Sequence, residues 1–311
     1  MNVAAAAVPA GLAARMWAYQ RERFPIAAYV PLIGISAVSA AGFSRAARGR
    51  PGLPDAGVLL VGCATALAFF FLLRVADEHK DADADRRFRP ELPVPRGLVS
   101  LAELRKVGAF VALTVLAANA LVAPALLWAL VPAIAWAALM AREFFAPDWL
   151  RARPAAYLLS HMVVMPLLFA YLTGLDWLAS GSAPPRELPL FLALAFANGI
   201  LVEVGRKIRA PADEREGVDT YTSAWGVRAA PAVWLIWLVT AGVLVWFASY
   251  PVSTALLTGI ALSIFLAAFA APALRFLRTP TSAGGKQVEV ASGLWTLASY
   301  ILLGIVPLLV P

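Results

Sequence analysis

The 311-residue sequence has little of what a soluble domain displays. Only 14% of it is charged, whereas 61% is apolar, and the mean hydropathy is +0.75. A water-soluble globular domain is excluded on those values. One cysteine, Cys63, excludes a disulfide framework; lying inside an apolar run, it reads as a small buried side chain. The beginning, MNVAAAAVPAG, has no basic n-region, and the first long apolar run comes only after Arg15, Arg21 and Arg23. We therefore expect no secretory signal, and an interfacial segment over residues 1–23.

What is present is a succession of apolar runs. About 20 such residues cross a bilayer as a helix. Nine candidates lie at roughly 24–43, 56–75, 105–123, 124–141, 155–173, 188–205, 231–249, 252–273 and 289–310. Pro124 and Pro251 divide two longer stretches. Helices satisfy their own backbone in the absence of water. The expected fold is all-α, a polytopic membrane bundle in one domain, residues 1–311, around a central chamber.

Charge location orients it. With a cytoplasmic N-terminus and nine spans, 22 of the 26 Lys and Arg residues fall on the inner side, and Arg45, Arg48, Arg50 and Arg186 on the outer. That asymmetry follows the positive-inside rule, with the Arg45/Arg48/Arg50 cluster as its one violation. These basic residues flank spans, so a nucleic-acid partner is not expected; the partner is the lipid bilayer.

The few acids are gathered. Of the 19, seven lie between Asp77 and Glu103 and five between Glu203 and Asp219. Both groups follow an even-numbered span, so both are expected on the cytoplasmic side. They stand four spans apart, a hint of two similar halves. Asp77, Asp81 and Asp85 have i, i+4, i+8 spacing and share one helical face. Like charges at that spacing repel. A solvated charge run capping a helix is the simple reading of one such loop; two on one side favour a shared cation. Mg²⁺ fits, because it takes one or two carboxylates and completes its shell with water and substrate phosphates. Arg74, Lys80, Arg86, Arg87 and Arg89 would then grip a polyphosphate. Pro90, Pro93 and Pro95 stop the helix and stiffen the return to the third span. In the second loop Pro211 breaks the helix, Gly217 permits a turn, and Thr220, Thr222 or Ser223 offers a helix N-cap.

Other polar residues inside spans are candidates by position. His161 beside Ser160, Asn119 and Asn198 each serve either function or interhelical bonding. His79, within the acidic motif, is a poorer magnesium ligand than its oxygen-bearing neighbours. Arg142 and Glu143 read as a surface ion pair closing the fourth span.

The two loops resemble those of the UbiA superfamily of intramembrane prenyltransferases. The family's NDxxDxxxD motif, followed by RP…G, corresponds here to DExxDxxxD, from Asp77 to Asp85, followed by RPELPVPRG. Asp77 stands for the family's Asn and Glu78 for its Asp. The family's second motif, DxxxD followed by Gly and a Ser/Thr turn, corresponds to Asp213, Gly217 and TYTSAWG. Arg209 occupies the first Asp position, and Glu203, Glu214 and Glu216 are nearby acids. The YxxxK element keeps Lys207 and has Glu203 in place of Tyr.

The resemblance implies Mg²⁺ held by both loops, with Asp77, Glu78, Asp81, Asp85, Asp213 and Glu203 as candidate ligands. It implies an isoprenyl diphosphate gripped by Arg74, Lys80, Arg89, Arg206 and Lys207, with Lys207 and Arg89 acting on the leaving group. It implies transfer of the prenyl group, through an allylic carbocation, to a lipophilic acceptor, aromatic or a quinone precursor. Ten Trp are available to stabilise a cation, though any one of them equally suits the interfacial belt. Cyclisation of the prenyl chain without acceptor is the alternative, and a noncatalytic membrane protein or permease the third. Transporter acids usually sit mid-membrane on broken helices, whereas these lie at span ends.

Overall fold

The computed structural model describes residues 11–50 and 52–309; the first ten residues of the expected interfacial segment lie outside them. Helix α1 (Leu12–Arg23) leads into α2 (Ile26–Ala47), α3 (Ala56–Lys80) and the short α4 (Ala82–Phe88). After a proline-rich loop come α5 (Leu101–Val122), a 3₁₀ turn, α6 (Leu127–Ala141) and the short α7 (Pro147–Arg151). Then follow α8 (Pro154–Met162), α9 (Val164–Trp177), α10 (Leu188–Gly205), the short α11 (Tyr221–Trp225), α12 (Ala229–Ser249) and α13 (Ala255–Arg278). The last span runs from α14 (Ser282–Tyr300) through a π-turn, Ile301–Ile305, into α15 (Val306–Leu309). Among the described residues nine helical segments are long and apolar enough to cross a membrane, as expected.

Several spans, α3 and the last among them, are longer than their apolar runs. Helix α3 is capped by Asp55, whose carboxylate accepts from Gly57 and Val58 N–H, and continues to Lys80. The acidic motif therefore begins within the last helical turn. The final span starts at Ser282, where the Thr281 hydroxyl accepts from Gly284 N–H, so Lys286 and Glu289 ride on a helix. Charges at a span end extend into the interface and need not end the helix.

The interior is aromatic and small-residue rich. Phe43 stacks on Phe191 at 4.4 Å, and Phe169 on Tyr300 at 4.6 Å. These rings fill the bundle toward the end opposite the acidic residues. First and last spans approach so closely there that a Cβ on Gly304 would overlap the Ser39 carbonyl; small residues at such crossings are the usual currency of membrane helix packing. Polar residues inside spans serve this packing. Asn119 donates to Thr65 at 2.8 Å and accepts from Tyr171 at 2.8 Å. Asn198 donates to Ser299 at 3.0 Å and accepts from Trp295 at 3.1 Å.

The arginine cluster that violates the charge rule has a partner. Asp176 is 2% exposed; it accepts from Ser44 and Arg48, both at 2.8 Å, and lies 3.4 Å from Arg45. One expectation needs correction: Glu143 lies 3.5 Å from Arg151 of α7. Glu143, Phe144 and Phe145 adopt left-handed φ values of 46°, 51° and 58°. That turn swings Glu143 away from the end of α6.

Candidate active site

The first acidic segment is a helix that has just left its span. The backbone N–H of Asp81, Asp85 and Arg89 each bond, at 2.8 Å, to the carbonyl four residues earlier, so 77, 81, 85 and 89 stack in one row. Their side chains have different fates. Asp85 is 2% exposed and paired with Arg89 at 2.5 Å. Asp77 is open, with Arg74 and Lys80 only at 3.7 and 3.8 Å. Asp81 caps nothing and has no ion pair among the described residues. Burial pushes its carboxyl up, with Asp77 and Asp85 adding and Lys80 offsetting. A carboxylate held this way gains from a divalent cation.

Glu78 turns the other way. It is 1% exposed and accepts from Arg23 Nε at 2.6 Å and from Tyr19 at 3.4 Å. Arg15 pairs with Glu103 at 2.5 Å, and Arg96 with Glu22 at 2.6 Å. Three ion pairs and the Tyr19–Glu78 hydrogen bond thus sew α1 onto α3, the proline-rich loop and the start of α5. Glu78 is one residue from Asp77, and successive helical residues point about 100° apart.

The second segment presents the opposite pattern. Glu203, in the last turn of α10, is bracketed by Arg206 at 2.5 Å and Lys207 at 3.0 Å. Lys207 also lies 5.6 Å over the Tyr221 ring. Glu214 accepts from Thr220 and Thr222 at 2.8 and 2.7 Å, which closes the loop on itself. Thr220 caps α11 through Ser223 N–H at 3.0 Å, as the sequence predicts. Asp213 accepts from Ser282 at 2.9 Å, and Arg209 lies 3.7 Å from Glu289.

The two segments meet. Gly217 has φ +73°, and a Cβ there would overlap the Phe88 ring of α4. Only glycine meets both demands cheaply. Asp77 and Arg206 are within electrostatic reach: burial lowers the Arg206 guanidinium, but Glu203 and then Asp77 more than offset this and raise it. Lys80 donates to Tyr157 at 2.8 Å, and Tyr157 stacks on His161 at 3.9 Å. The Tyr221 hydroxyl is pushed up by burial, and after that by Glu203. Asp77, Lys80, Tyr157, Tyr221, Lys207, Glu203 and Arg206 therefore ring one site.

Of the sequence candidates, Asp77, Asp81, Lys80, Glu203, Arg206 and Lys207 come together here, with Arg74 beside Asp77. Asp85 and Arg89 form an ion pair that leaves Asp85 Oδ1 and Arg89 Nε without a hydrogen bond, and Glu78 is spent on Arg23. Tyr157 and Tyr221 escaped sequence reasoning. Tyr157 shares a helical face with Ser160 and His161, a signal at hand. His161 uses Nδ1 on the Tyr157 carbonyl at 2.9 Å, and His79 uses its own on the Val75 carbonyl at 2.8 Å. As a donor set, Asp77 and Asp81 suit Mg²⁺, which needs few protein oxygens. Among the described residues no three His, Cys, Asp or Glu side chains gather closely enough to make a protein-only metal cage.

No protein-family model and no curated protein matches the sequence. Solved structures match the fold. A digeranylgeranylglyceryl phosphate synthase structure superposes with a TM-score of 0.65 at 14% identity, covering 96% of this chain and 100% of that one. A UbiA homolog from Aeropyrum pernix K1, without ligand, gives 0.61 at 16%, covering 88% and 95%. A UbiA homolog from Archaeoglobus fulgidus bound to DMAPP and Mg²⁺ gives 0.57 at 15%, covering 94% and 99%. Nine spans, two charged segments meeting at one end, and these superpositions agree: the chain has the UbiA fold.

Proposed function

We propose that the protein is a UbiA-type, Mg²⁺-dependent intramembrane prenyltransferase. It takes an isoprenyl diphosphate and a lipophilic acceptor, with its site facing the cytoplasm. One observation carries the reading: Asp77, half-exposed, lies within electrostatic reach of Arg206 of the other segment, and Asp81 beside it has no ion pair among the described residues. The Archaeoglobus fulgidus homologs with this fold are bound to DMAPP or GPP together with Mg²⁺, which supports the same chemistry here.

Mg²⁺, when bound, neutralises charge on the leaving diphosphate as a Lewis acid. Asp77 and Asp81 would hold it, with Glu203 and Asp213 as further candidate oxygens. Arg206 and Lys207 bind diphosphate oxygens, and Arg74 and Lys80 flank them. The allylic C–O bond breaks, its electron pair leaves with the diphosphate, and positive charge stays on the prenyl carbon. The basic groups are already in place when that negative charge develops, so little reorganisation is needed. The acceptor's electron pair forms the new bond, and the acceptor then loses a proton. Apolar spans keep water from the cation.

The test is incubation of purified protein with Mg²⁺ and geranyl, farnesyl or geranylgeranyl diphosphate, with and without an aromatic acceptor. Acceptor-dependent prenylated product is expected. A cyclic hydrocarbon without acceptor replaces transfer by cyclisation. No diphosphate release, with ion flux in liposomes, overturns both.

A further inference from the structure

The second segment is rich in acids, as the first is, yet it offers the site cations. Glu203, in the last turn of α10, is 12% exposed at the side chain and held by both Arg206 and Lys207. Glu214 is tied to two threonine hydroxyls of its own loop. Asp213 is tied to Ser282 at the start of the last span. Glu216 and Asp219 are exposed on either side of Gly217. Across the site Asp77 lies within electrostatic reach of the Arg206 guanidinium. By contrast Asp81, on the first segment, has no partner in an ion pair among the described residues.

We propose, resting on the prenyltransferase reading, that the site holds a single divalent cation, on Asp77 and Asp81, and that Arg206 and Lys207 neutralise the rest of the diphosphate. Charge balance supports the division. To ligate a second ion, Glu203 would abandon two basic partners and leave their charges beside that ion. Left in place, Glu203, Arg206 and Lys207 form a trio with net positive charge. Such a trio attracts a diphosphate directly, without an intervening metal. Glu203 then orients the two basic side chains, a positioning role.

The division predicts two measurements that need no turnover. Manganese replaces magnesium, inorganic pyrophosphate serves as probe, and free Mn²⁺ is counted by electron paramagnetic resonance with the detergent-solubilised full chain. One bound Mn²⁺ per chain is expected. Asp81→Asn removes it, whereas Glu203→Gln and Asp213→Asn, each checked for native melting, retain it. Pyrophosphate binding in EDTA, followed by calorimetry, is expected to be weak but measurable, and to fall about tenfold in Arg206→Gln or Lys207→Met, the scale of one charge-assisted hydrogen bond. Two Mn²⁺ per chain overturns the proposal, as does loss of the ion in Glu203→Gln or Asp213→Asn, or metal-free binding that ignores both basic residues. If two ions accompany acceptor-dependent product, only this inference fails. If neither ion nor diphosphate release is found, the prenyltransferase reading fails with it.

Discussion

The two charged segments are alike in composition and opposite in use. In the first, arginines hold the structure together and carboxylates are left over: Arg23 takes Glu78, Arg89 takes Asp85, and Asp77 and Asp81 stay open. In the second, hydroxyls absorb Glu214 and Asp213, and Glu203 is shared by Arg206 and Lys207, a trio with one net positive charge. Charge content therefore says little about what a loop presents. What a loop presents is whatever its own folding does not consume. The far end of the bundle makes the same point, since Asp176 and its arginines satisfy one another.

The largest effect should come from the open carboxylates. Asp81→Ala is expected to lower diphosphate release by about 10³-fold, the scale of a lost metal contribution of several kcal/mol, while the protein still inserts and melts cooperatively. Near-normal turnover in that variant would erase the contrast between the segments.

Glu78, adjacent to Asp77, should behave oppositely. Breaking a buried ion pair by removing one member costs roughly 3–5 kcal/mol; with Arg23 17% exposed, about 3 is expected. Glu78→Ala should therefore lower the apparent Tm with the Mg²⁺ dependence of the remaining activity unchanged. A shifted Mg²⁺ requirement at unchanged Tm would return Glu78 to the metal.

Lys207→Met tests the second segment. KM for the diphosphate should rise about tenfold, from loss of a charge-assisted contact; unchanged KM and kcat remove Lys207 from the site. Gly217→Ala probes the seam between segments. Positive φ and the Phe88 ring both oppose it, so a loss of about 1 kcal/mol is expected, read by chemical denaturation together with activity. A neutral result would mean that Phe88 yields freely.

The smallest effect is on metal-free stability. The Asp81 carboxyl titrates above its ordinary value in the folded protein, so folding is favoured at low pH. That advantage fades as pH rises from the unfolded value of about 3.9 through the folded one. Asp81→Asn should thus melt a few degrees above wild type at neutral pH in EDTA, with the gap closing in acid. A gap that widens in acid contradicts the sign.

Much of this was legible in the chain. Apolar run length sufficed for nine spans, because a bilayer fixes how long a span must be. The i, i+4 row of Asp77, Asp81 and Asp85 was legible too, because helical period is local. The later end of α3 was hidden, since charged residues at an interface extend a helix as readily as they end it. Tyr157 and Tyr221 were hidden because nothing in their own segments announces Lys80 or Lys207.

Sequence by itself determined the span count and the gathering of acids into two segments. Tertiary structure alone decided which of those acids remain open. The reason is geometric: neighbouring helical residues diverge by about 100°, and only packing against α1 determines that Glu78 meets Arg23 while Asp77 stays half-exposed beside Arg74 and Lys80.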